Sequence, residues 1–268
     1  CWEDYATLER AISEHEVDTV FHLGAQAIVA TALRSPLATF EANIRGTYNL
    51  LEACRVHAKL VQRVVVASSD KAYGEVATLP YTEDMPLLGR HPYDVSKSCA
   101  DLLAQACYQT YGTPVVVARC GNIFGGGDLN WSRVVPGTIR SLYYGQRPLI
   151  RSDGLYTRDY LYVMDAVDAY LSMAEAIDRP GVAGEAFNFG PERPRTVLEI
   201  VDALRKLMGR EDLEPIILNA AEAEIRDQYL CSEKARRVLG WRPKYDLEAG
   251  LKLTVEWYDR FFREGPIR

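Results

Sequence analysis

The sequence predicts an α/β fold built as a doubly wound parallel sheet, and three observations carry that reading. Arg63-Val-Val-Val-Ala67 is a β-branched apolar run, as a strand buried on both faces requires. Pro114 to Ala118 is a second such run, and the long helical pattern from Tyr93 to Tyr111 lies between the two. Strand, helix, strand in that order makes a parallel pair with a crossover helix.

Composition fits a globular chain. Its 268 residues are 48% hydrophobic and 25% charged, enough for one large domain or two coupled ones. The net charge of −6 argues against a nucleic-acid partner. No apolar run reaches the eighteen or so residues of a membrane helix, and no signal peptide precedes Trp2, so a cytoplasmic location is expected. The six cysteines, Cys1, Cys54, Cys99, Cys107, Cys120 and Cys231, include no C-x-x-C pair. The four histidines form no H-E-x-x-H, so no metal site is expected.

In chain order, Glu3 to His15 has a helical apolar pattern and Val17 to Leu23 reads as a strand. The strand ends in Gly24-Ala25-Gln26, small residues that let a ligand approach the backbone or simply make a tight turn. Ser35-Pro36 introduces a helix from Leu37 to His57 whose stripe of Phe40, Ile44, Tyr48, Leu51 and Cys54 is expected mostly in the core. Asn43 on this helix either holds a loop or packs. The strand at Arg63 ends abruptly in Ser68-Ser69-Asp70-Lys71, where ligands of open α/β sheets bind. Pro92 then opens the next helix, placing Tyr93 and Lys97 on one face.

That pair has a chemical use. A nearby ammonium favours the phenolate, which can then take a proton from a hydroxyl and later return it. A Tyr-x-x-x-Lys also arises by accident in a chain with sixteen tyrosines. Its place one loop after Ser-Ser-Asp-Lys separates the two cases.

Further along, Arg133, Arg151 and Arg158 are candidates to face a diphosphate, because guanidinium forks match phosphate oxygens, although each alone reads as a surface arginine. Gly125-Gly-Gly127 lacks the Lys-Ser/Thr of a P-loop and reads as a flexible turn. Asp165 to Ala176 is an amphipathic scaffold helix. Thr196 to Met208 is a helix with a capping threonine and Glu199 three residues later. A last helix runs from Leu247 to Phe262.

The motifs together resemble the extended short-chain dehydrogenase/reductases, in the NAD-dependent nucleotide-sugar epimerase/dehydratase family. They are Phe21-His-Leu-Gly-Ala-Gln26, Thr39 to Gly46, Ser68-Ser-Asp-Lys-Ala-Tyr-Gly74, Tyr93 to Lys97, Arg119-Cys-Gly-Asn-Ile-Phe-Gly125 and Arg158-Asp-Tyr-Leu-Tyr-Val163, in family order. Ser-Asp-Lys and Gly125-Gly-Gly-Asp128 are most similar to the branch acting on CDP-glucose, whereas the dTDP-glucose branch carries Asp-Glu. Leu155-Tyr-Thr-Arg-Asp-Tyr resembles epimerase and decarboxylase branches instead.

The resemblance implies a Rossmann-like NAD-binding domain over residues 1–125 and 161–190, with a smaller α/β substrate-binding lobe over 126–160 and 191–268. It implies that the Gly-rich first βα turn, the next strand and its ribose-binding acid lie upstream of Cys1, so that the first βαβ unit is absent from this chain. Gly24, Ala25, Gln26, Ser68, Tyr93 and Lys97 become the expected NAD contacts. Asn122 and Arg158 match family positions for the nucleoside-diphosphate sugar, and the 37–57 and 93–111 helices commonly pair in a homodimer.

The implied reaction is 4,6-dehydration. Tyr93 and Lys97 oxidise the sugar at carbon 4 with hydride passing to NAD, and Ser69 bonds the developing carbonyl. Asp70 is the acid and Lys71 the base for water loss across carbons 5 and 6. Two alternatives stand beside it. A 4-epimerase needs Tyr93 and Lys97 alone, and a non-catalytic nucleotide-sugar-binding member needs none of the five.

Overall fold

The computed structural model describes residues 3–220 and 224–265, so Cys1 lies outside the described residues. The chain divides into two compact units. The first comprises Cys1–Cys120, Val167–Phe189 and Leu230–Trp241, the second Gly121–Ala166, Gly190–Tyr229 and Arg242–Arg268.

The first unit is built on four parallel strands, β1 (Thr19–His22), β2 (Arg63–Ala67), β3 (Val115–Cys120) and β4 (Ala186–Phe189), in that spatial order. Registers such as His22↔Val66, Val66↔Val117 and Val117↔Ala186 bring the strand ends into line. Val64, Val65, Val66, Val115 and Val116 have no exposed surface, which is why these strands are uniformly apolar instead of alternating. One face packs Val64, Val66, Val115 and Val117 on Ile12, Leu51, Cys54 and Ala104 from the helices Tyr5–Glu14, Gly46–Val56 and Pro92–Tyr111. Each fully buried valine is worth about 1.5–3 kcal/mol relative to exposure.

The helix over Pro92–Tyr111 starts on Pro92 at its first turn and ends on Gly112, whose φ of 69° supplies the left-handed cap. The expected 37–57 helix is present with an irregularity. Pro36–Phe40 and Gly46–Val56 are α-helical, and Glu41–Arg45 between them is a π-turn. Leu51 and Cys54 are core as expected, but Tyr48 faces outward at 45% exposure.

The second unit pairs Asn122–Phe124 with Tyr160–Tyr162 in parallel. Its core joins Phe124, Val135, Ile139, Leu142, Tyr160, Ile200, Leu204, Leu251 and Tyr258. Thr196 caps the helix Val197–Leu207 through a reciprocal capping box with Glu199. The 230–241 segment packs with the first unit, through the Tyr81↔Leu230 bridge, Lys234 Nζ donating to Glu185 (2.7 Å) and the Phe189 and Trp241 rings 5.0 Å apart. The glycine run makes the expected turn after Phe124, and within it Gly125 and Gly126 are close-approach positions: a Cβ at Gly126 would lie 2.3 Å from Trp257 Cγ, and one at Gly125 2.3 Å from Val163 Cγ1.

Candidate functional site

β2 ends at Ala67, and the chain must turn because the buried apolar run is over. Ser69 makes the turn. Its backbone is extended, and its Oγ accepts from Lys71 N at 3.2 Å, capping the 3-10 turn Asp70–Tyr73. The same hydroxyl donates to Asp70 Oδ1 at 2.9 Å, and Lys71 Nζ lies 3.4 Å from that oxygen. Asp70 is 1% exposed, and its second oxygen, Oδ2, is buried with no hydrogen-bond partner. A buried carboxyl oxygen without a donor is costly, and such groups cluster where chemistry is done.

The helix Pro92–Tyr111 brings the second half of the set. Lys97 is buried, and its Nζ donates to Ala67 O, the last carbonyl of β2, at 2.7 Å. Burial pushes its ammonium down to about 8, opposed by Cys120 and Asp101. Tyr93 sits one helical turn earlier and is partly exposed; its carbonyl accepts from Ser96 Oγ at 2.7 Å. Ser68, also buried, turns its hydroxyl toward Lys97 O at 3.5 Å. Ser68, Ser69, Asp70 and Lys71 at the strand end thus lie against Lys97, and the helix start places Tyr93 one turn before that lysine.

Gly24, Ala25 and Gln26 leave β1 at the same end of the sheet, since His22 pairs with Val66. Gln26 is tied from both sides. Its N–H donates to Asn43 Oδ1 (2.7 Å) and its carbonyl accepts from Asn43 Nδ2 (3.0 Å), while its own amide reaches Thr39 Oγ1 (3.0 Å) and Ile28 N (2.7 Å). Asn43 Nδ2 also donates to Ser96 Oγ at 2.9 Å. Asn43 thus links this loop to the turn of helix that carries Tyr93, and it does so from the π-turn, a feature common at functional sites. Of its two sequence readings, the loop-holding one describes the geometry.

In the second unit the polar candidates stand differently. Arg158 is buried, and three of its guanidinium hydrogens are spent on backbone: Nη1 on Thr157 O and Arg226 O (2.8 Å each), Nη2 on Ile225 O (2.6 Å). It clamps the chain near 225–226, and its Nη2 also lies 3.9 Å from Glu224 Oε2. Arg133 pairs with Asp128 at 2.9 Å and stays half exposed, and Arg151 Nη2 donates to Ser132 O at 2.9 Å. Asn122 begins its strand with N–H bonded to Asp159 O at 2.8 Å. Asp159 was not singled out by sequence. It is fully buried, and its carboxylate oxygens accept from Glu192 N and Arg193 N, both at 3.3 Å. Its place after Arg158 in the Arg-Asp-Tyr motif was the available signal.

Among the described residues no group of three or more His, Cys, Asp or Glu could hold a metal ion, and no helix is long and apolar enough to cross a membrane.

The family model described as GDP-mannose 4,6 dehydratase matches residues 2–254. The chain belongs to this family. Among curated relatives it is 32% identical over 276 residues to CDP-glucose 4,6-dehydratase of Salmonella typhimurium, covering 97% of this chain and 76% of the relative. Among solved structures it resembles the UDP-glucose 4-epimerase of Thermotoga maritima, determined with UDP-glucose (TM-score 0.90, 32% identity, 97% of this chain and 83% of that one). It also resembles a dTDP-glucose 4,6-dehydratase of Streptomyces venezuelae, determined with NAD bound (TM-score 0.88, 28% identity, 98% and 78%). The α/β, Rossmann-like fold is common to both neighbours.

Proposed function

We propose that the protein is an NAD-dependent nucleotide-sugar 4,6-dehydratase. The observation that carries the reading is the Ser69-Asp70-Lys71 turn. A 4-epimerase needs only Tyr93 and Lys97, yet this chain buries an acid with an unbonded oxygen beside a lysine at the same strand end. The relatives at 30% identity and above include dehydratases for CDP- and dTDP-glucose.

The residues present fit NAD. Gly24 and Ala25, with no side chain beyond a methyl, leave the sheet beside Ser68 and Lys97, which matches a dinucleotide laid across strand ends. Bound there, NAD would supply the hydride acceptor for carbon 4 and the hydride donor for carbon 6. Tyr93 Oη takes the proton of the 4-hydroxyl, and Lys97 as ammonium favours the phenolate that does so. Ser69 Oγ is the donor for the carbonyl that forms at carbon 4, turning its one proton there from Asp70 Oδ1. With that carbonyl in place, Lys71 Nζ removes the proton at carbon 5 and Asp70 gives a proton to the departing 6-hydroxyl, so one water leaves. A proton returned to carbon 5 completes a 4-keto-6-deoxy sugar. Asn122 and Arg133 are proposed for the nucleoside diphosphate; Arg133 can exchange the Asp128 carboxylate for a phosphate. Arg158 is proposed for the same role through Nε, its Nη2 lying also 3.9 Å from Glu224 Oε2.

A homodimer is proposed through the 37–57 and 93–111 helices. They pack on each other and leave Tyr48, Val56, Leu102 and Tyr111 between 45% and 62% exposed. Sedimentation of Leu102→Arg against the parent protein checks it, a shift to monomer being expected.

The function is tested by incubating the protein and NAD with CDP-, dTDP-, UDP- and GDP-hexoses and following products by mass spectrometry. Loss of one water from one substrate is the expected result. Unchanged mass with a new sugar stereoisomer would make the protein an epimerase.

A further inference from the structure

Behind the Asp70–Lys71 turn lies a buried polar chain that the proposed reaction does not use. It starts at Asp101, four residues after Lys97 on the same helix and fully buried. Asp101 holds Arg119 of β3 in a two-pronged pair, Nε to Oδ2 at 2.8 Å and Nη2 to Oδ1 at 2.9 Å. Arg119 Nη1 donates to Tyr73 Oη at 2.8 Å, and Arg119 Cζ lies 4.9 Å from the centre of the Tyr73 ring. Tyr73 is the last residue of the 3-10 turn that begins at Asp70.

Tyr73 is in turn fixed from its far side. Its hydroxyl donates to Asn188 Oδ1 at 2.7 Å, and burial pushes the phenol up, so it stays protonated and keeps that bond. Asn188 of β4 is itself held, its Nδ2 by Tyr81 O (3.0 Å) and its N–H by Glu83 Oε1 (2.8 Å). The Tyr73 ring stacks on Tyr81 at 4.8 Å and 10° between planes. A second, lighter tie joins the same two elements: Ser98 Oγ shares its proton between Asp94 O and Ala72 O, each at 3.0 Å.

The two halves of the reaction thus have different supports. Tyr93 and Lys97 are placed by their own helix and by the bond from Lys97 Nζ to Ala67 O. Asp70 and Lys71 sit on one short turn, whose far end is held by Asp101, Arg119, Tyr73 and Asn188. We infer that Tyr73, Arg119 and Asp101 form a strut that sets the Asp70–Lys71 turn against the Tyr93–Lys97 helix, and that they are positioning residues for water elimination and not for oxidation at carbon 4. The inference rests on the dehydratase reading. Its physical basis is that elimination needs an acid and a base at two adjacent carbons at once, and a misplacement of about 1 Å costs on the order of 100-fold in rate.

Single-turnover kinetics of Tyr73→Phe with NAD and the active nucleotide hexose separate the steps. Oxidation at carbon 4 is read as absorbance of reduced nicotinamide, and elimination as loss of one water by mass. The expected result is water loss slowed about 10- to 100-fold, with the absorbance rise within about twofold of the parent, so that reduced nicotinamide accumulates. Ser98→Ala should act in the same direction by about two- to tenfold, the worth of one hydrogen bond. A parent protein that turns over while Tyr73→Phe slows both phases alike, or neither, overturns the strut and leaves the dehydratase standing. A parent protein that never reduces NAD with any nucleotide hexose overturns both. Should Tyr73→Phe not fold, Ser98→Ala decides by the same two readouts.

Discussion

The Ser69–Lys97 cluster of the first unit and the arginines of the second were read from the same sequence by similar reasoning, yet they fare differently in three dimensions. Tyr93 and Lys97 are four residues apart on a helix, and Ser69, Asp70 and Lys71 follow directly from a strand end, so the backbone alone brings each group together. Arg158 and Arg133 carry long side chains whose partners lie elsewhere. Arg158 reaches backbone carbonyls some 67 and 68 positions away, and Arg133 folds back on Asp128. Groups set close together by a strand end or a helix turn are predictable from local sequence. A guanidinium takes the best acceptors the fold brings within its reach.

The contrast can be broken at several strengths. The largest effect belongs to Tyr93→Phe, which removes the proton acceptor for carbon 4. Turnover should fall about 100- to 10,000-fold, read by appearance of the dehydrated sugar. An active variant would show that the cluster is assembled but idle.

Arg158→Lys sharpens the other side. A lysine cannot serve the carbonyls of Thr157, Ile225 and Arg226 together, so the protein should lose about 1–3 kcal/mol in urea unfolding. Arg133→Ala, removing an exposed pair, should change stability by less than about 1 kcal/mol while raising KM for the nucleotide sugar. An Arg158→Lys protein as stable as its parent, with only KM raised, would return Arg158 to the phosphate role expected from sequence.

A smaller effect follows from Lys97, held near 8 by burial. Below that pH it is an ammonium and favours the Tyr93 phenolate; above it the help is lost. The rate of oxidation at carbon 4 should therefore decline as pH rises through about 8. The sign for stability is opposite. Between about 8 and the ordinary lysine value the unfolded chain holds a proton that the fold does not, so stability rises with pH across that window. A flat rate profile there would detach Lys97 from proton transfer.

How far the site was legible depends on the kind of information each residue needs. Ser69, Asp70, Lys71, Tyr93 and Lys97 stand out as candidates in the sequence because strand termination and helix start are local signals. Asp101 and Arg119 had a weaker one, since Asp101 is one turn beyond Lys97 and Arg119 opens a family motif, but nothing in the linear chain joins them to Tyr73. Asn43 was visible as a polar residue on an apolar helix. That it bonds both sides of Gln26 and reaches Ser96 depends on a π-turn that periodicity does not show.

By itself the sequence determined the parallel α/β sheet, the helix starts and caps, and which strand end gathers the candidate residues, because hydrophobic periodicity, proline, glycine and capping residues act over a few positions. Only the tertiary structure decided that 230–241 packs with the first unit, that Gly125 and Gly126 make room for Val163 and Trp257, that Arg158 clamps backbone, and that a buried strut backs the Asp70–Lys71 turn. Those outcomes rest on contacts between residues far apart in the chain, where burial leaves each polar group to find whichever partner the packing supplies.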